Sequence, residues 1–232
     1  MDKKASVEKV TAEQGSQPRR RRGPIPKSHA EGGMAEPVRD VILGAAVTEF
    51  SEKGFLGTTT RDIASRAGVN HGMVTYYFKS KEALWREATR LIFGRLAAEV
   101  MEGVEIPTTR QELRQVAANG IRRFVHYCAR HPDYVRFMFH ESIQRSDRLS
   151  WLAENFLRPA HAAAAMFISR LQEEKLTADI PPVSLLYLIV GGAQVMYVMA
   201  NEVEAVWGVD PFAEKTIDAH ADALIGMVLR DA

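Results

Sequence analysis

Between Thr58 and Leu84 the chain reads TTTRDIASRAGVNHGMVTYYFKSKEAL, and this stretch concentrates groups able to contact a nucleic acid. Asn70 and His71 carry side chains that hydrogen-bond base edges, and Met73 and Thr75 offer methyl groups to a thymine methyl. Gly72 permits close backbone approach. Thr60, Tyr76, Tyr77 and Lys81 suit phosphate oxygens, contacts that fix position without reading sequence. Arg61 has the reach for a guanine or a phosphate.

Such groups need a rigid mount, and the local sequence supplies one. Thr59 followed three positions later by Asp62 is a capping-box pattern that starts a helix. Ile63, Ala64 and Ala67 share one face of it. Gly68 suits the left-handed residue that ends a helix, and Asn70 suits the N-cap of the next. Val74 and Phe78, four apart, pack on the inner face of that second helix. Ser80 caps a third. Helix, glycine turn, helix is the helix-turn-helix arrangement, whose second helix enters a major groove. Upstream, Pro37 opens a helix in which Val38, Val41, Ile42, Ala45, Ala46 and Phe50 repeat at helical spacing, and Gly54 ends it. Phe50, Ile63, Val69, Val74 and Phe78 form the expected core of this three-helix head.

Taken alone, the hairpin fits two readings: a DNA reader, or an incidental helical pair in a small-molecule-binding or enzymatic domain. A longer register bears on the choice. In Ile42 to Leu84 the pieces Ala45-Ala46 with Phe50, Gly54-Phe55, Thr58-Thr59, Asp62 to Ala64, Ala67 to Val69 and Tyr77 to Leu84 stand together. This segment resembles the N-terminal domain of TetR/AcrR-type transcriptional regulators. It departs at Thr75, where the family commonly carries a backbone-contacting Tyr, and at His71, where many members carry Lys or Gln. The resemblance implies a homodimeric, all-α regulator with a C-terminal effector-binding domain. It would be a repressor released from a palindromic operator when a small, largely apolar effector binds.

Composition agrees with that division. Residues 1–90 hold 16 Lys/Arg and 11 Asp/Glu, whereas the remainder holds 14 and 18, so a basic half precedes an acidic one. The expected organisation is a basic arm over 1–35, a head over 36–80, and an effector and dimerisation domain over 81–232. This arm is expected to be disordered, and within it Arg19 to Arg22 is either a solvated tail or an arm segment that follows phosphates or enters the minor groove. The single Cys128 excludes an internal disulfide framework and, with the charged opening MDKKASVEKV, points to the cytoplasm.

Beyond the head the periodicity predicts further helices over 81–101, 110–130, 133–142, 150–174, 182–206 and 211–230, about nine in all. Pro159 is expected to bend the helix over 150–174. The apolar run Val183 to Ala200 falls short of a membrane span and reads as buried. The last two helices are the candidate dimer interface, with Gly191 and Gly192 allowing close approach. Leu188, Val195, Met199, Leu224 and Val228 supply the apolar surface there.

The middle helices are rich in aromatics and Met, and they hold the candidate effector contacts Phe124, Tyr127, Phe137, Met138 and Trp151. Phe167 and Met196 join them, with His140, Glu141 and Gln194 as polar anchors. Histidines 126, 131, 140 and 161 lack ligand spacing, so no metal is expected. No P-loop, G-x-S-x-G or H-E-x-x-H occurs, and neither an enzyme nor a cofactor is expected.

Overall fold

A computed structural model describes residues 35–103 and 107–231. The arm expected over residues 1–35, including Arg19 to Arg22, lies outside them but for Ala35. Among the described residues every regular element is helical, apart from one bridge between Thr177 and Leu229. The chain is all-α, as its periodicity requires.

Three helices form the head: α1 (Ala35–Gly57), α2 (Thr60–Arg66) and α3 (His71–Phe78). Gly54 interrupts α1 with φ 67° and ψ 175°, a conformation that glycine alone adopts cheaply. The buried Thr58 hydroxyl then donates to the Glu49 and Gly54 carbonyls, at 3.0 and 2.8 Å, satisfying acceptors the helix end leaves open. The capping box forms as the spacing predicts: Thr59 Oγ1 accepts from the Asp62 N–H, and the Asp62 carboxylate accepts from the Thr59 N–H. Gly68 has φ 66°, and Asn70 Oδ1 accepts from the Gly72 N–H at 2.8 Å. Phe50, Ile63, Val74 and Phe78 are buried, while Val69 is half-buried.

The body begins with α4 (Lys81–Leu96), capped by Ser80 and continued by a π-helical turn over Ala97–Met101. Then come α5 (Arg110–Arg130), α6 (Pro132–Ser142) and α7 (Asp147–Leu152). Thr109 and Glu112 make a second capping box that starts α5. The helix expected over 150–174 is divided. A π segment, Ala153–Leu157, separates α7 from α8 (Arg158–Glu173). Pro159 has no N–H for the preceding turn, and the backbone register slips just ahead of it.

The helix expected over 182–206 also breaks: α9 (Pro182–Val198) and α10 (Ala200–Trp207) meet at Met199 with a bend of 71°. No single helix among the described residues is long and apolar enough to cross a membrane. The last helix is α11 (Glu214–Val228). The head is not set apart from the body, because α1 packs along α6 and α4. One continuous buried cluster therefore runs from Phe50 through Trp85 and Phe137 into α9 and α11.

Candidate nucleic-acid interface and effector cavity

The cap at Asn70 starts α3 so that one side of it faces outward. Asn70, His71, Gly72, Thr75 and Tyr76 are exposed, and Tyr76 retains 79% of its accessible surface. Met73 and Tyr77 are half-buried and lean on the core, so they offer only part of each side chain. Arg61 is exposed at the start of α2. Thr60 Oγ1 and His71 Nε2 lie 2.9 Å apart and share a hydrogen bond, which joins the first residue of α2 to the first of α3. The Tyr76 and Tyr77 rings meet edge to face at 5.2 Å. All these candidates but Lys81 therefore share one corner of the head, exposed except at the half-buried Thr60, Met73 and Tyr77.

A buried carboxylate that sequence inspection missed holds this corner together. Glu49 of α1 takes Arg66 of α2 at 2.6 Å and Lys53 at 2.7 Å, and Arg66 also reaches Glu52 at 2.6 Å. Burial pushes the Glu49 carboxyl up, but hydrogen bonds and charge from Lys53 and Arg66 hold it below the usual carboxylate range. Local spacing offers only the i,i+4 pair of Glu49 with Lys53; the Arg66 partner that ties α1 to α2 is 17 residues away.

Lys81 stands where head and body meet. Its ammonium lies 4.2 Å from the Phe55 ring centroid, and the Arg148 guanidinium lies 3.9 Å from the same ring. Burial, then the charge of Arg148, lowers the Lys81 pKa. Arg148 also pairs with Glu141 at 3.3 Å, and Glu141 is only 3% exposed. Burial raises the Glu141 pKa and Arg148 opposes that rise. Beside them the His140 ring packs on Gly54, where a Cβ would meet Nδ1 at 3.1 Å. Phe137 stacks on Trp85, and Trp151 meets Trp85 edge-on. Four sequence candidates for effector contact, Phe137, His140, Glu141 and Trp151, therefore sit at the joint between head and body.

The body holds a separate cavity of about 410 Å³, open along one rim, among α5, α8, α9, the end of α11 and the π turn that follows α4. Phe124 and Phe167 line it; the other aromatic and polar candidates do not. Tyr127 is buried and donates to the Ile92 carbonyl at 3.1 Å. Gln194 is buried and donates to the Tyr134 hydroxyl at 3.3 Å. Met138 is half-buried against the core. Met196 lines a surface groove of about 480 Å³ on α9 and α10, together with Gly191, Gly192, Val195, Met199 and His220.

Of the interface candidates, Leu188, Val195 and Met199 are exposed along α9. Leu224 and Val228 point inward and are buried. Gly192 serves the contact between α9 and α11, since a Cβ there would meet Leu224 Cδ1 at 2.9 Å. Tyr187, Trp207 and Met227 are exposed apolar side chains that sequence reasoning left out. The only signal for them was their place on an outward helical face.

Two family models match in succession. Residues 42–88 match the bacterial regulatory proteins of the TetR family, and residues 111–228 match the tetracyclin repressor-like C-terminal domain. The chain belongs to the TetR family. The hairpin is thus the DNA-binding element of a regulator rather than an incidental feature of an unrelated domain. The HTH-type transcriptional repressor NicS of Pseudomonas putida is 32% identical over 121 residues, 51% of this chain and 55% of NicS. The match thus spans about half the length of that relative. Among solved structures, the regulator SCO4942 of Streptomyces coelicolor superposes with a TM-score of 0.62 at 22% identity, covering 82% of this chain and 98% of that one. AibR, solved with isovaleryl coenzyme A and operator DNA, gives 0.66 at 16% identity, covering 82% and 97%. These two likenesses concern the fold. It is the TetR fold, with its helix-turn-helix head and helical C-terminal domain.

Proposed function

We propose that this TetR-family protein is a homodimeric, cytoplasmic repressor that leaves a palindromic operator when a small, largely apolar effector enters the cavity. Asn70, His71 and Met73 read bases, and Gly72 and Thr75 bring the backbone and a methyl close. Thr60, Arg61, Tyr76, Tyr77 and Lys81 hold phosphates. The outward faces of α9 and α11 pair with those of a second copy, so two α3 helices meet successive major grooves.

One observation carries the coupling. The helix that starts at Lys81, against the head, ends with Val100 and Met101 on the cavity wall. Its 16 α-helical residues span about 24 Å, and the π turn carries the chain on to the cavity wall. A ligand that bound both positions of this helix equally would shift nothing. An effector that fits only one position resets the spacing of the two heads and lowers operator affinity. Repression is supported by NicS, a repressor by name, and the presence of both a ligand site and an operator site on one such fold by AibR, which was crystallised with both.

The test is a gel-shift titration with the DNA upstream of the protein's own gene, followed by footprinting. Protection of two symmetric half-sites is expected. Binding indifferent to sequence, without half-site symmetry, would sink the proposal.

A further inference from the structure

We infer that the cavity is built for an electrically neutral, hydrocarbon-rich ligand of roughly ten to fifteen non-hydrogen atoms, at about 30 Å³ per water-sized group. The inference rests on the effector reading above and narrows it to a chemical class.

The first argument is how the space arises. On α5 the cavity side carries Ala117, Gly120, Ile121 and Phe124, and on α8 it carries Ala160, Ala163, Ala164 and Phe167. Each set recurs at helical spacing, the signature of a face that expects a partner. Both helices pack on α9, yet they face one another across an open volume of about 410 Å³. A Cβ on Gly120 would meet nothing within 4 Å. Glycine weakens a helix interior relative to alanine, so packing within this chain does not call for it. The volume lies in the range of ligand sites.

The second argument is charge. No ionisable side chain lines the cavity among the described residues. Leu185, Leu186 and Ile189 form its floor. An ionised carboxylate or ammonium placed there would lose its hydration and meet no partner. Met101, Ala160 and Ala163 are exposed at the rim, where a neutral polar group keeps a water contact at small cost, while an ionised one loses part of its hydration shell with no lining charge to pair it. The occupant is thus a medium-chain alcohol, ester, ketone or comparably sized terpenoid.

Isothermal calorimetry on the full chain with 1-decanol, decanoate and decylammonium at pH 7 tests this without DNA. Decanol is expected to bind one site per chain, about 100-fold tighter than either ion. Ala164→Phe, which fills the space from α8, should abolish the heat, and Gly120→Leu does the same from α5 should the first variant lose its helical circular dichroism. The inference is overturned by an ion binding as tightly as decanol, by decanol binding that survives a folded filled variant, or by no decanol binding at all. A gel shift of the unmodified protein, run apart, tests the operator reading. Its failure alongside decanol binding would remove the repressor proposal and leave the ligand class standing.

Discussion

Arg148→Met should destabilise the protein in a strongly pH-dependent way, and the contacts set the size. The guanidinium faces a Glu141 carboxylate that is 3% exposed, at 3.3 Å. Breaking a buried pair by removing one partner costs about 3–5 kcal/mol. The contact is long and the Arg148 side chain keeps 13% of its surface, so the lower end applies, about 3 kcal/mol. Lost cation–π contacts with Phe55 and Trp85 are offset in part by methionine sulfur against the same rings.

The pH dependence has a definite sign. Burial already raises the Glu141 pKa and Arg148 opposes this, so the variant raises it further. A carboxyl raised in the folded state contributes stability that is fully present below its unfolded pKa of about 4.3. That contribution is lost as pH rises through the folded pKa, by up to about 1.4 kcal/mol per pH unit. Arg148→Met should therefore lose more stability at pH 7.5 than at pH 5. Glu141→Gln added to it removes the stranded charge and should return the protein to within about 1 kcal/mol of the parent. Urea unfolding followed by far-ultraviolet circular dichroism, at one fixed protein concentration, measures the parent, Arg148→Met, Glu141→Gln and the double variant. The reasoning fails if the two single losses add to within about 0.5 kcal/mol in the double variant. It fails equally if the Arg148→Met loss is independent of pH.

Gly54→Ala should cost about 2 kcal/mol in the same unfolding assay, because φ is 67° and the new methyl meets His140. Thr60→Val should shift base preference at the same operator position as His71→Ala, since the two side chains share a hydrogen bond; gel shifts on operator variants should find the double variant no worse than His71→Ala. Lys81→Ala should weaken binding to every DNA sequence alike and lower the salt slope by about 1. Cys128 is buried and its thiol pKa is pushed up, so a disulfide reagent should label it only after urea unfolds the chain.

The head was legible because its signals are local. A cap and the backbone N–H it accepts from lie within three residues, as at Thr59 and Asp62 or Asn70 and Gly72, so the partner is visible in the string. The apolar faces of α2 and α3 repeat over single turns. The body gave up its helices for the same reason, apart from two places. The division ahead of α8 required the exact effect of Pro159 on its preceding turn, and the bend at Met199 follows no breaker residue.

Sequence by itself determined the helix content, the exposed groups between Arg61 and Tyr76 and the family register. Tertiary structure decided which aromatic does what. Phe124 and Tyr127 sit one helical turn apart on α5 and look equivalent in the string, yet the first lines the cavity and the second is sealed against α4. Glu49 with Arg66, and Glu141 with Arg148 over Phe55, join residues far apart in sequence or on separate helices. The cavity itself is a place where two apolar faces fail to meet. Helical periodicity records which side of a helix is apolar, whereas the distance to the opposing helix is set by the packing of every other element between them.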